Sequence, residues 1–269
     1  MSGEPSPELP RPFYDEWSRR RRPAARALWR WHSALVEPTV PSDASVDPFF
    51  DEERTRADAG EPLRVMPEET WSDAYEACGR HDLNREWLGA QVDAARLQCG
   101  ITRFESADRL ETFVRLWAVP HARLLAHLAD LTNSVQMSWV DHLARGFFHL
   151  AHLVTLPADL KKERLFVPMD ELRQYDVSVD QLRTGPATEA VQRLLWKQSV
   201  RVRDALQRGR SLAADLRFRQ RYAFWWYWHG ALALIEELDR RDFDLWSAPI
   251  GLSRFRRLEV YLHMVFGRS

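Results

Sequence analysis

Apolar residues recur at helical spacing along nearly the whole chain, and no alternating strand pattern of any length appears. In RRRRPAARALWRWHSALV (19–36), Ala27, Trp31, Ala34 and Leu35 share one side, and Pro38 and Pro41 end the run. Residues 38–68 are rich in Pro, Asp, Glu and Gly without a period, which predicts a long loop with at most one short helix. The helical pattern returns at WSDAYEACGR and continues in NREWLGAQVDAARLQCG (84–100), with Gly100 as its C-terminal cap. SADRLETFVRLWAVPHARLLAHLADL (106–131) opens on Ser106 as an N-cap and passes through Pro120, where a kink is expected. SWVDHLARGFFHLAHLVTL (138–156) is a further apolar helix, and Pro168 with MDELRQYDVSVDQLRTGP (169–186) marks an exposed connection. Long helices are expected over 188–215 and 217–240, and a shorter one from 253 to the end. The prediction is an all-α domain over 13–269, with eight or so helices around one core and a flexible tail at 1–12.

Composition narrows the function classes. The chain of 269 residues is 45% hydrophobic and 29% charged, a globular balance with room for a sizeable core. A net charge of −1 supplies no field for sequence-independent nucleic-acid binding. Cys78 and Cys99 are too few for a disulfide framework or a cysteine zinc site, so they are expected as reduced thiols in a cytoplasmic protein. The polar, Pro-rich start does not read as a signal peptide, and no stretch reaches the roughly 20 apolar residues a membrane helix needs. Twelve tryptophans against six tyrosines are unusual; most should fill the core, and some could wall a pocket for flat or cationic ligands.

Few residues advertise chemistry on their own. His149 and His152 stand three apart on one helix with Asp159 seven residues on, a spacing open to a metal ion as well as to ordinary packing. Asp159 is the best single metal candidate. The runs RRRR (19–22) and RFRR (254–257) suit solvated helix faces, or phosphate if they converge with Arg164. FWWYW (224–228) suits core. No P-loop, GxGxxG, GxSxG or HExxH is present.

HLVTLPADLKKERLFVP (152–168) resembles the second acidic helix of the squalene/phytoene synthase family, whose pattern is D-x-x-E-D followed by a basic stretch ending in R-x-Y-L-P. Thr155 falls at the first aspartate, Ala158 at the glutamate and Asp159 at the last aspartate, while Arg164, Phe166 and Pro168 match the ending. QCGITRFESADRLETF (98–113) is similar to the family's T-R-Y-E-T segment, with Gln98 in place of an aspartate. RRDFDLWSAPIGLSRFRRL (240–258) resembles its R-R-D-Y-D ending. ARALWRWHSALVEP (25–38) resembles the helix of the first DDxxD motif, with Val36 and Glu37 at the paired aspartates and Val40 at the last. The resemblance spans about residues 13–260 and implies the isoprenoid-synthase helical bundle around a central cavity.

The departures shape the expected function. Family members join two prenyl diphosphates head to head, using two acidic motifs and Mg²⁺. Here at most Glu37 and Asp159 remain, Ala151 replaces an asparagine and Val154 an arginine, so Mg²⁺ is an uncertain cofactor. One reading keeps a single prenyl diphosphate, such as dimethylallyl diphosphate, and replaces the second by a small aromatic acceptor. A branch of the family that prenylates carbazoles in bacterial secondary metabolism works on such acceptors. The other reading is a non-catalytic binding or assembly relative; head-to-head synthesis fits least. The resemblance places Trp29, Phe113, His121, Ala122, Phe148, Ala151 and Thr155 in the pocket beside His152. It makes Arg164, Arg254 and Arg257 the diphosphate candidates, with Lys161 and Lys162 behind them. Asp159, Glu37 and His121, a candidate acceptor for the ring proton, are the catalytic candidates. Oligomeric state is not legible.

Overall fold

The computed structural model describes residues 17–38, 40–42, 44–99 and 102–252. Eleven α-helices follow one another: α1 (Arg22–Ala34), α2 (Val46–Ala59), α3 (Glu68–His81), α4 (Glu86–Arg96), α5 (Ala107–Leu128), α6 (Ser134–Val154), α7 (Leu156–Lys161), α8 (Met169–Gln174), α9 (Val179–Thr184), α10 (Glu189–Gly209) and α11 (Phe218–Arg240). A 3-10 turn, Arg210–Ala214, extends α10. The all-α prediction holds, with more helices than the eight or so expected because short ones occupy the connections. One parallel ladder of two residues per strand, β1 (Thr102–Arg103) with β2 (Arg164–Leu165), departs from the expectation of no strand.

The expected cap at Ser106 is in place. Ser106 accepts from Arg109 N at the start of α5, which then runs unbroken through the buried Pro120. Asn133 and Gln136 close a capping box at the start of α6, and Thr188 caps α10. The predicted loop at 38–68 is corrected by α2. Its apolar face is thin (Phe49, Phe50, Ala57), and its fourth buried side chain is Glu53. That carboxylate accepts Arg64 N at 2.6 Å and Arg64 Nε at 2.7 Å, so a charged residue packs inward where a sequence pattern reads it as solvent-facing. Gly100, the expected cap of α4, the helix expected from 253 onward and the tail at 1–12 lie outside the described residues.

α6 is the central element. It packs on α5 along one side and on α10 along the other, and α1 lies against α3 and α5. Gly209 lets α10 close on α6: a Cβ there would come within 2.3 Å of Leu143 Cγ and 2.9 Å of the Trp139 carbonyl. Two hydrophobic clusters result. The larger joins α1–α6 with parts of α10 and α11. The smaller lies under α7–α9, around Leu156, Leu160, Leu165, Leu172 and Leu194. α6 passes from one to the other between Leu150 and Leu153, so its C-terminal end sits at their seam.

Candidate functional site

The site grows from a break in a helix. α6 ends at Val154, and Thr155 (φ −98°, ψ 6°) serves both as its C-cap and as the N-cap of α7. In one continuous helix His152 and Asp159 would stand about 10 Å apart along the axis. The break instead sets His152 Nδ1 2.8 Å from Asp159 Oδ2. Thr155 Oγ1 lies 2.7 Å from the same oxygen and 2.9 Å from the Ala151 carbonyl. An ionised carboxylate only accepts, so this contact places a ring proton on Nδ1, and in the neutral ring the lone pair is then on Nε2. The imidazole stacks on Phe166, with centroids 3.7 Å apart, and meets Phe148 at 4.5 Å.

Past α7 the chain turns through Glu163 in the left-handed region (φ 56°). Such a backbone needs support in a residue other than glycine. Arg103 and Arg183 hold the Glu163 carboxylate at 3.3 and 3.0 Å, and Thr102 N donates to its carbonyl. The turn presents Arg164, whose side chain is only 13% exposed, to the end of α1. Arg164 donates to the Val36 carbonyl at 3.0 Å and lies 3.9 Å from Glu37. Lys162 Nζ donates to Glu37 at 2.7 Å, and Gln98, at a family aspartate position, reaches the Leu35 carbonyl. Cations and donors on the last carbonyls of a helix suit its dipole. The Lys162 hydrogen bond, then its charge and that of Arg164, hold the Glu37 carboxyl below the usual range. Lys161 points to solvent. The two motif regions therefore meet through ion pairing and hydrogen bonds.

These residues do not fit a magnesium cluster. Asp159 Oδ2 is committed to His152 and Thr155, and Glu37 to Lys162. Burial, then the charge of Arg201, with His152 and Arg145 behind it, pushes the His149 imidazole down to about 3. Among the described residues no three His, Cys, Asp or Glu side chains are placed to hold a metal ion.

A run of rings leads inward from His152. Phe148 meets Phe113 at 5.9 Å, Phe113 meets Trp117 at 6.0 Å, and Trp117 meets His32 at 4.2 Å. His32 stacks on His121 at 4.2 Å, and His121 lies 5.8 Å from Trp29. Such spacings are favourable for aromatic pairs. The structure thus joins the predicted pocket residues Trp29, His121, Phe113 and Phe148 to His152. Sequence reasoning missed Trp117 and His32 as links of this run. The stripe Phe113, Trp117, His121 at steps of four along α5 carried that signal, as did Trp29 and His32 on α1. His32 bonds Gln91 at 2.8 Å, and burial pushes it down to about 4. Neither nitrogen of the buried His121 has a hydrogen-bond partner among the described residues, and burial, with His32 beside it, holds it neutral. Arg254 and Arg257 lie outside the described residues, so their convergence on Arg164 is not part of this geometry.

No helix among the described residues is long and apolar enough to cross a membrane. No curated protein matches the chain. Among solved structures it is similar to squalene synthase HpnC from Alicyclobacillus acidocaldarius, with a TM-score of 0.73 and 20% identity, over 86% of this chain and 88% of that one. It is also similar to a dehydrosqualene synthase in complex with ligand, with a TM-score of 0.78 and 10% identity, over 94% and 89%. YisP from Bacillus subtilis aligns at a TM-score of 0.61 and 12% identity, over 91% and 98%. These likenesses give the fold, the all-helical isoprenoid-synthase bundle. The sequence model for squalene/phytoene synthase matches residues 11–261, nearly the whole chain, and so the chain belongs to the squalene/phytoene synthase family.

Proposed function

We propose that this chain transfers a short prenyl group from dimethylallyl diphosphate to a small aromatic acceptor, a carbazole or a ring of similar size. One observation carries the reading. Two of the acidic motif positions, Thr155 and Asp159, form a hydrogen-bonded cluster with His152, flanked by Lys162 and Arg164 and backed by a continuous ring wall. Guanidinium and ammonium groups neutralise a departing diphosphate, and aromatic faces favour an allylic cation. Arg164 and Lys162 would bind the diphosphate by exchanging Val36 and Glu37 for phosphate oxygens, with Lys161 at the rim. The C1–O bond of the donor breaks with its electron pair going to diphosphate. A ring carbon of the acceptor attacks C1, and its proton then leaves to restore aromaticity.

A second reading has an observation of its own. Lys162 and Arg164 already satisfy the end of α1, as they would in a non-catalytic relative that has sealed its mouth. One experiment separates the two. The purified chain is incubated with dimethylallyl diphosphate and a panel of carbazoles, indoles and phenols, and products are read by mass spectrometry. The transfer reading expects a prenylated ring and one diphosphate per product. No product with any acceptor overturns it in favour of the sealed relative.

A further inference from the structure

We infer that His152 is the proton acceptor of this site and that Asp159 is its positioning residue. The inference rests on the prenyl-transfer reading and assigns its last step. Four histidines stand near the ring wall, and they differ in what holds them; His32 bonds the Gln91 side chain. Burial, and then the charge of Arg201, opposes a proton on His149. His121 is buried against His32, and no carboxylate bonds either of its nitrogens. His152 alone has a carboxylate on one nitrogen, at 2.8 Å, and a lone pair on the other. Its side chain is 25% exposed, and its ring makes no other hydrogen bond among the described residues. The stack on Phe166 and the contact with Phe148 hold the ring in place at the end of the wall. A carboxylate behind an imidazole fixes its tautomer and stabilises the imidazolium once formed. The Thr155 hydroxyl on the same carboxylate oxygen fixes the carboxylate in turn.

The step balances without a further reactant. After C–C bond formation the attacked ring carbon carries a hydrogen and the ring a positive charge. His152 Nε2 takes that proton, the C–H electron pair returns to the ring, and the imidazolium sheds the proton to water. In the relatives' motif these positions are acidic; here Thr155 and Asp159 serve an imidazole.

The test compares wild type, His152→Gln, Asp159→Asn and Asp159→Glu on an acceptor deuterated at the prenylated carbon. Product and released diphosphate are counted separately. Wild type is expected to give one product per diphosphate with no isotope effect, since proton loss is fast. His152→Gln should still release diphosphate, with dimethylallyl alcohol from water, while product falls by about 10²-fold, the scale of general-base catalysis. A primary isotope effect should appear, because proton loss becomes slow. Asp159→Asn should shift both readouts the same way, and Asp159→Glu should recover part of the loss. Continued diphosphate release reports an intact fold, and if His152→Gln releases none, Asp159→Asn carries the test. A wild-type product ratio and no isotope effect in the folded variants overturn the role of His152 while leaving prenyl transfer standing. No product from wild type overturns both.

Discussion

His152 and His121 lie on one run of rings yet are held in opposite ways. His152 closes the end of α6 with Asp159 on one nitrogen and no other hydrogen bond on its ring among the described residues. His121, midway along α5, lies buried against Trp29 and His32, and neither of its nitrogens has a hydrogen-bond partner among the described residues. In the first arrangement a carboxylate stands beside the ring to balance a proton that it accepts. The second is neutral because protonation would put an uncompensated charge in the core. The same side chain is thus a reactive group at a helix junction and a wall group four residues from Trp117. Its surroundings decide which.

The comparison has chemical content only if the donor ionises, and that rests on Arg164. Arg164→Ala is expected to cut diphosphate release about 10²- to 10³-fold, the cost of losing one donor on developing charge. An unchanged rate would move the diphosphate elsewhere. Asp159→Asn strips His152 of its advantage and makes it resemble His121. Losing a hydrogen bond to a charged partner, about 1.5–3 kcal/mol, should lower product formation about 10- to 100-fold.

From the other side, His121→Phe removes the buried imidazole. The change should raise stability by about 1–3 kcal/mol by relieving an unsatisfied polar group. The gain should grow on acidification. A histidine that titrates near 6.5 when unfolded, while His32 stays neutral down to about 4 in the fold, draws protons to the unfolded state in between. Stability is therefore full above pH 6.5 and lost as pH falls towards 4. His121, also pushed down by burial and then by His32 beside it, adds to the slope. Urea midpoints at neutral pH and in that acidic window test this, and identical slopes for both proteins would contradict it. Thr155→Val, which removes only the hydroxyl from Asp159, should cost about 1 kcal/mol, a fivefold loss of product formation. Least of all should be the effect of a chelator. With Asp159 given to His152 and Glu37 to Lys162, EDTA should leave the rate unchanged, and abolition would return those carboxylates to a metal.

Much of this was legible in the chain. Helical periodicity marked α5, α6, α10 and α11, and the frame around Asp159 pointed to the family. What escaped has physical reasons. α2 is anchored by a buried glutamate, which hydrophobic patterning counts as surface. The His152–Asp159 spacing of seven was visible, yet only the break at Thr155 turns two helical turns into one hydrogen bond. The grip of Lys162 on Glu37 spans 125 positions and depends on the left-handed turn at Glu163, which no local pattern announces. The ring wall was half legible, because its α5 stripe repeats every four residues but its links to α1 are tertiary.

The most direct test sets the two imidazoles side by side. Prenylated product per diphosphate released is measured for His152→Phe and His121→Phe under one set of conditions. The ratio should collapse for His152→Phe, with diphosphate still released, and hold at the wild-type value for His121→Phe. Collapse for His121→Phe and a wild-type ratio for His152→Phe would contradict the account.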